Sequence, residues 1–444
     1  MTITIELTKT KDWRSTIPLT FVLFLLLLTF LSGCGMDQKV STDTVTLVFF
    51  GEARRWEPIT DRFMKETPGV EIKLLGFPGE GYITKINTMY AGGTPPDVLW
   101  TNEKAAEFVS RGLILDLTPY VERDKEEMDL LDIYPQLLEN CKYKGKYYWF
   151  PTNFNADVIF YNKKLFDEDG LPYPDEDLTY DQFLTLAKKL TKDIDGDGKI
   201  DQYGAYIFWV PDWILGHVLK FGGEIFNPDM SKCLIDKPEN IAAIQWYIDL
   251  IKKHKVVPTT VTLSAQSDID MFMTGKIAMF NCAWYVSGLF KNIKGFEWDV
   301  APVPKRPGEL RITYGGINMF MISKKVKNPE SAWKLVKYLN SVAGQKYFLE
   351  GGFDMPIRKS VAALIPTLVN YPEHRKVFAD AMQYARLIPE FPRKTEVMDV
   401  LKQEFDDIYY KDAPVTETCK RITERVNRLL NNTDYLVPAK SLHN

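Results

Sequence analysis

The 444 residues carry 55 Lys and Arg against 59 Asp and Glu, a formal net charge of −4, with only 4 His and 5 Cys. A slightly acidic, nearly balanced chain excludes the strongly basic footprint of a nucleic-acid binder, and the length exceeds one ordinary core and predicts two lobes. Aromatic residues make up 13% of the chain, with 10 Trp and 22 Tyr, more than a core requires, which predicts rings lining a recognition cleft.

The first 33 residues read as an export leader. Lys9, Lys11 and Arg14 form a basic flank, and residues 17–31 are an apolar stretch of signal-peptide length, too short for a comfortable membrane span. The stretch ends in Leu31-Ser32-Gly33-Cys34, which resembles the lipobox of bacterial lipoproteins and predicts lipidation at Cys34. Residues 34–45 then read as a lipidated N-terminus and a polar tether. Removing 33 residues from 444 leaves 411, and the three basic and two acidic leader residues shift the net charge from −4 to −5.

The body opens with Thr46-Leu47-Val48-Phe49-Phe50, a continuous apolar run suited to a strand buried on both faces. A helix is predicted over residues 56–66, a strand over 70–75, a helix over 81–90 and a strand over 97–100, an alternation that predicts an open α/β unit with a parallel sheet. Residues 147–151 lead into an apolar strand at 157–161, a candidate passage between lobes. Asp193-Ile194-Asp195-Gly196-Asp197-Gly198-Lys199-Ile200-Asp201 reproduces the first nine positions of an EF-hand loop, with oxygens at positions 1, 3, 5 and 9 and glycine at 6, but position 12 is Gly204. Its reading is a structural Ca2+ site at Asp193, Asp195, Asp197, Lys199 and Asp201, incomplete for want of the bidentate Glu, or an Asp/Gly-rich turn. No other cofactor is called for.

Asp236-Lys237-Pro238 starts a helix with Ile241, Ile244, Ile248 and Ile251 on one face, and Ser267 caps the next, which stops at Gly275. Strands follow at 277–280, 298–303 and 317–322, and Asn328-Pro329 opens a helix carrying Ala332, Leu335, Val336 and Leu339 inward. The rest reads as helical. Cys141, Cys233, Cys282 and Cys419 are widely spaced with no CxxC and read as buried free thiols. The sequence holds no HExxH, GxSxG, GxxxxGK[ST] or GxGxxG, and its four His form no cluster.

Several segments, in order, resemble the extracellular solute-binding proteins of bacterial sugar ABC importers, the family of maltose-binding protein. Thr94-Pro95-Pro96-Asp97-Val98, Tyr161-Asn162-Lys163-Lys164-Leu165-Phe166, Phe272-x-x-Gly275-Lys276-Ile277-Ala278-Met279 with Trp284, and Met355-Pro356-Ile357-Arg358-Lys359-Ser360 are similar to its recurrent motifs. The resemblance implies an α/β, two-lobe periplasmic-binding-protein fold of type II, with the ligand cleft between lobes joined by three crossings near residues 153–157, 303–313 and 360. Lobe 1 is expected to hold 46–154 and 303–360, and lobe 2 to hold 155–302 and 361–444. It implies a monomeric, non-enzymatic binding protein on the extracellular face of the cell membrane, or on its periplasmic face in a diderm, held to the membrane by lipid alone. Its partners would be a sugar and the importer's permease subunits. A lipoprotein acting on glycosides, or an accessory of a sensor, is the competing reading.

For the site, the resemblance points to Trp100 as a sugar-stacking ring with Glu103 and Lys104 beyond it, to Trp284 as the cleft tryptophan, and to Trp209, Asp212 and Trp213 as a cleft segment. Asn155 stands where the maltose-binding relative has a carboxylate, which argues against maltose itself. Glu52 lies at a C-terminal strand edge, where open α/β sheets bind ligands. Tyr314 and Gly315 bring backbone close to ligand, or form a simple turn. Arg358 pairs with a carboxylate in the hinge or the cleft.

Overall fold

The computed structural model describes residues 42–431, apart from Glu52, Glu80, Asn102, Glu103 and Pro392. The leader, the tether to residue 41, Cys34, Glu52 and Glu103 therefore lie outside the described residues. The strands, in chain order, are β1 (Asp43–Phe50), β2 (Val70–Phe77), β3 (Val98–Thr101), a small hairpin of β4 (Lys142–Tyr143) and β5 (Lys146–Tyr147), β6 (Trp149–Pro151), β7 (Asn155–Ala156), β8 (Val158–Asn162), β9 (Tyr203–Tyr206), β10 (Ile277–Cys282), β11 (Trp298–Pro302), β12 (Thr313–Gly316), β13 (Met319–Ile322) and β14 (Ala385–Leu387).

The first sheet has the order β2-β1-β3-β13-β6. Its β2-β1-β3 part is parallel, with Leu47 opposite both Leu74 and Val98, as the strand and helix alternation requires. β13 and β6 join antiparallel, so the sheet is mixed where a parallel one was expected. The second sheet, β11-β8-β10-β9, sets β8 antiparallel to both neighbours, and every residue of β8, β9 and β10 is buried. Both faces of these strands are therefore covered, which is why they read as unbroken apolar runs.

Between the two large sheets stands a third, β14-β12-β7, built where the chain leaves one for the other. β6 of the first sheet leads through β7 to β8 of the second, and β11 of the second returns through β12 to β13 of the first. A buried polar chain fixes the first passage. Asn153 donates to Asp354 at 2.6 Å and accepts from the Asn318 backbone N–H at 2.7 Å, while Asp354 forms an ion pair with Arg55. The Arg55 guanidinium lies 4.4 Å from the Trp100 ring centroid, and burial pulls its pKa down to about 9.

Helix starts follow local chemistry. Asn328 caps Pro329–Leu339 through a bond from the Ser331 N–H, with Ala332, Leu335, Val336 and Leu339 all buried, and Ser267 caps Asp268–Met273. The four cysteines at 141, 233, 282 and 419 are free and buried. Among the described residues no helix is long and apolar enough to cross a membrane.

Candidate functional site

A cleft of about 430 Å³ opens beside the β14-β12-β7 sheet. Three segments build it. Pro211, at the first position of the helix Pro211–Lys220, fixes a start that presents Asp212 and Trp213 to the cleft, both half-buried. β12 contributes Tyr314, Gly315 and Gly316. The segment after β14 supplies Ile388 and Glu390, and the first turns of the helix Lys394–Lys411 add Lys394, Thr395, Met398 and Asp399. Lys104, which precedes the helix Ala105–Ser110, closes the far side, where Thr395 donates to Glu107 at 3.1 Å.

The ring wall is held from behind. Tyr314 lies edge-on to Trp213, centroids 5.9 Å apart, and packs directly on Gly216, where a Cβ would come within 2.5 Å of the tyrosine Cγ. Gly315 is equally constrained, its missing Cβ falling 2.8 Å from Phe154. Beneath Trp213, Lys220 donates to Asp157 at 2.7 Å and to Asn281 at 3.0 Å in full burial. Such a pair, once formed, is costly to break from one side only.

Acceptors dominate the polar lining. Glu390 is 9% exposed, with one carboxylate oxygen 2.5 Å from Lys394 and the other, Oε2, buried without a hydrogen-bond partner. Burial raises the Asp212 carboxyl above the usual range, and nearby Glu390 adds to the rise against the opposing charge of Lys394. Burial also pushes the Tyr314 hydroxyl well up, so it stays a protonated donor at any working pH.

Of the expected site residues, Lys104, Asp212, Trp213, Tyr314 and Gly315 come together in this cleft. Others are placed elsewhere. Trp284 is 0% exposed, in a 3₁₀ turn, edge-on to Phe378 at 5.0 Å and stacked with Tyr371 at 6.4 Å, so it is a core residue rather than a platform. Trp100 is 1% exposed, stacked on Phe50 and donating to Thr152 at 2.9 Å, because β3 is covered on both faces. Trp209 stacks on Tyr247 and donates to the Phe405 carbonyl at 3.3 Å, packing among helices. Arg358 is buried, bonded to the Asn340 and Met128 carbonyls and paired with Asp132 at 3.2 Å, a structural anchor. Asn155 is half-buried on β7, its Oδ1 without a partner, and does not line the cleft. The cleft lining also includes Asn140, Glu390, Lys394, Thr395, Met398 and Asp399, which the sequence motifs did not single out.

In the Asp-rich loop, carboxylate oxygens of Asp193, Asp195 and Asp197 lie within 4.8 Å of one another. The Asp193 carboxylate accepts from the Gly196 and Gly198 N–H groups, and Asp201 from Ile194 at 2.7 Å. Lys199 turns its side chain 3.2 Å from Asp197. Gly204 sits in β9 so close to the helix Tyr180–Lys189 that a Cβ would fall 1.8 Å from the Ala187 carbonyl oxygen, which explains why position 12 carries no Glu.

Known proteins share this architecture. The profile described as bacterial extracellular solute-binding protein matches residues 52–346. The maltotriose-binding protein of Pyrococcus abyssi is 25% identical over 397 residues, spanning 84% of this chain and 79% of its own. An ABC substrate-binding protein from Listeria monocytogenes, solved in complex with cycloalternan, superposes with a TM-score of 0.79 at 26% identity, over 88% of this chain and 99% of that one. Maltose-bound MalE3 of T. maritima gives 0.73 at 25% identity, over 87% and 100%. These are two-lobe binding-protein folds, and this chain shares that fold.

Proposed function

The chain belongs to the family of bacterial extracellular solute-binding proteins, and from that premise we propose that it captures a sugar or oligosaccharide outside the cell and hands it to the permease subunits of an ABC importer. The observation that carries this reading is the cleft itself. Half-buried aromatic walls, Trp213 and Tyr314, stand beside the polar side chains of Asp212, Glu390, Lys394 and Asn140. Sugar rings present C–H faces that pack on aromatic planes and hydroxyls that need such partners. The cleft volume of about 430 Å³ falls in the range of small-molecule sites. The protein acts by binding and release alone, without chemistry on the ligand.

A thermal-shift screen against a sugar panel tests this, since a ligand bound only by the native state raises Tm. At least one mono- or oligosaccharide is expected to raise it in a saturable way. A panel with no shift, confirmed by calorimetry, sinks the sugar reading.

Anchoring is part of the same proposal. Cys34, closing Leu31-Ser32-Gly33, is the lipidated N-terminus that tethers the body to the membrane. Cys34→Ser is expected to move the protein from the membrane to the soluble fraction, and unchanged fractionation refutes the anchor. The loop at 193–201 is read as a structural Ca2+ site, supported by hard oxygen donors from Asp193, Asp195, Asp197 and Asp201. Millimolar calcium should raise Tm over chelator, and Asp195→Ala should remove the difference; equal Tm values for the parent protein rule the site out.

A further inference from the structure

The charge and hydrogen-bond balance of the cleft narrows the ligand beyond a generic sugar. Among the described residues its lining carries three carboxylates, Asp212, Glu390 and Asp399, against two ammonium groups, Lys104 and Lys394. Each lysine already faces an acid, Lys394 to Glu390 at 2.5 Å and Lys104 to Glu107 at 3.7 Å. Asp399 is exposed at the rim. Deeper in, Asp212 is half-buried, and the second oxygen of Glu390, a residue 9% exposed, has no hydrogen-bond partner. A buried acceptor thus lacks a donor in a partly dry pocket, where an unmet hydrogen bond costs most.

A hydroxyl would give such a carboxylate one hydrogen bond and leave its charge in place. An ammonium brings up to three donors, no acceptor and the opposite charge, the complement of an unmet acceptor in an acidic lining. Trp213 and Tyr314 stand beside it, and aromatic faces also attract cations. An anionic group would meet three carboxylates and gain nothing from lysines that already have partners.

Resting on the sugar reading, we propose that the ligand is an amino sugar, whose protonated amine is seated by Asp212 and Glu390 while its ring packs against Trp213 and Tyr314. The cleft discriminates by charge, taking amine-bearing rings over neutral ones and rejecting sugar acids.

The test uses the full chain in detergent and calorimetry with matched probes: glucosamine, glucose and glucuronate, each alone and as its 1,4-linked dimer. The amine member should bind about tenfold or more tightly than its neutral partner, with the acid weakest, and the advantage should shrink as salt is raised. Glu390→Gln and Asp212→Asn should each lower the amine-to-hydroxyl ratio at least threefold while keeping a cooperative melt. A neutral sugar that binds as well as its amine, or a glucuronate that binds at all comparably, overturns the inference and leaves the sugar reading standing. Failure of every probe to bind counts against both. Ratios unchanged in both variants overturn the assignment to these two carboxylates.

Discussion

Two pairs of aromatic residues in this molecule are all expected from the sequence to face ligand, and they end in opposite places. Trp100 and Trp284 close or follow strands of the large sheets and are buried at 1% and 0% exposure. Trp213 and Tyr314 stand on a helix start and on a short connecting strand, and both are half-exposed toward the cleft. The difference lies in what folds over them. Phe378, of the helix Lys376–Gln383, and Tyr371 cover Trp284, and Arg55 and Phe50 cover Trp100. Phe208, 4.4 Å away, and Tyr314 pack on Trp213 but leave it half-buried, so a strand-end position alone does not make a ligand platform.

The sharpest way to break that contrast is to truncate one ring from each pair. Trp284→Ala removes a fully buried indole and is expected to cost about 3–5 kcal/mol of stability by chemical denaturation. Trp213→Ala should cost far less in stability. Its loss should fall on affinity, about 2 kcal/mol or some thirtyfold by calorimetry against the sugar found in the screen. The reverse pattern, with Trp284→Ala stable and non-binding, would return Trp284 to the site.

A smaller effect separates the two ends of the helix Pro211–Lys220. Asp212 and Trp213 face the cleft, while His217 is buried between Trp246 and Tyr247, ring centroids 5.1 and 4.4 Å away. Burial, with Lys220 nearby, holds the His217 pKa well below its ordinary value. The native state therefore keeps the ring neutral while the unfolded chain takes up a proton below about pH 6.5. Below that pH the unfolded state binds more protons, so this contribution to stability is present above pH 6.5 and is lost as pH falls, by at most about 1.4 kcal/mol per pH unit. His217→Phe should flatten the slope between pH 6.5 and 5 relative to the parent; identical slopes would show that the ring does not titrate on unfolding.

Much of the fold was legible because Gly and Pro punctuate long apolar runs. The strands at β1, β2, β3, β8, β10, β11 and β13 and the capped helices after Ser267 and Asn328 fall where patterning put them. β14 was not legible: Ala385-Arg386-Leu387 is too short for a periodic signal and is a strand only through pairing with β12. The cleft was half legible. Asp212, Trp213 and Tyr314 stood in segments marked by Pro211 and by Gly315-Gly316. Glu390 and Lys394 lay in a stretch read only as helical, although Pro389 and the acid and base spaced four apart marked a helix entry. Whether a ring faces core or cleft depends on what covers it from elsewhere in the chain, as Trp284 shows, and no local pattern encodes that.

The contact between Gly216 and Tyr314 gives the ligand wall an adjustment from its rear side. A single methyl at position 216 would meet the Cβ and Cγ of the tyrosine, atoms too near the backbone to swing away, so the ring and β12 would be driven forward together. The bore of the cleft is thus set by a residue outside its lining, and narrowing it would begin on the hidden face of a helix.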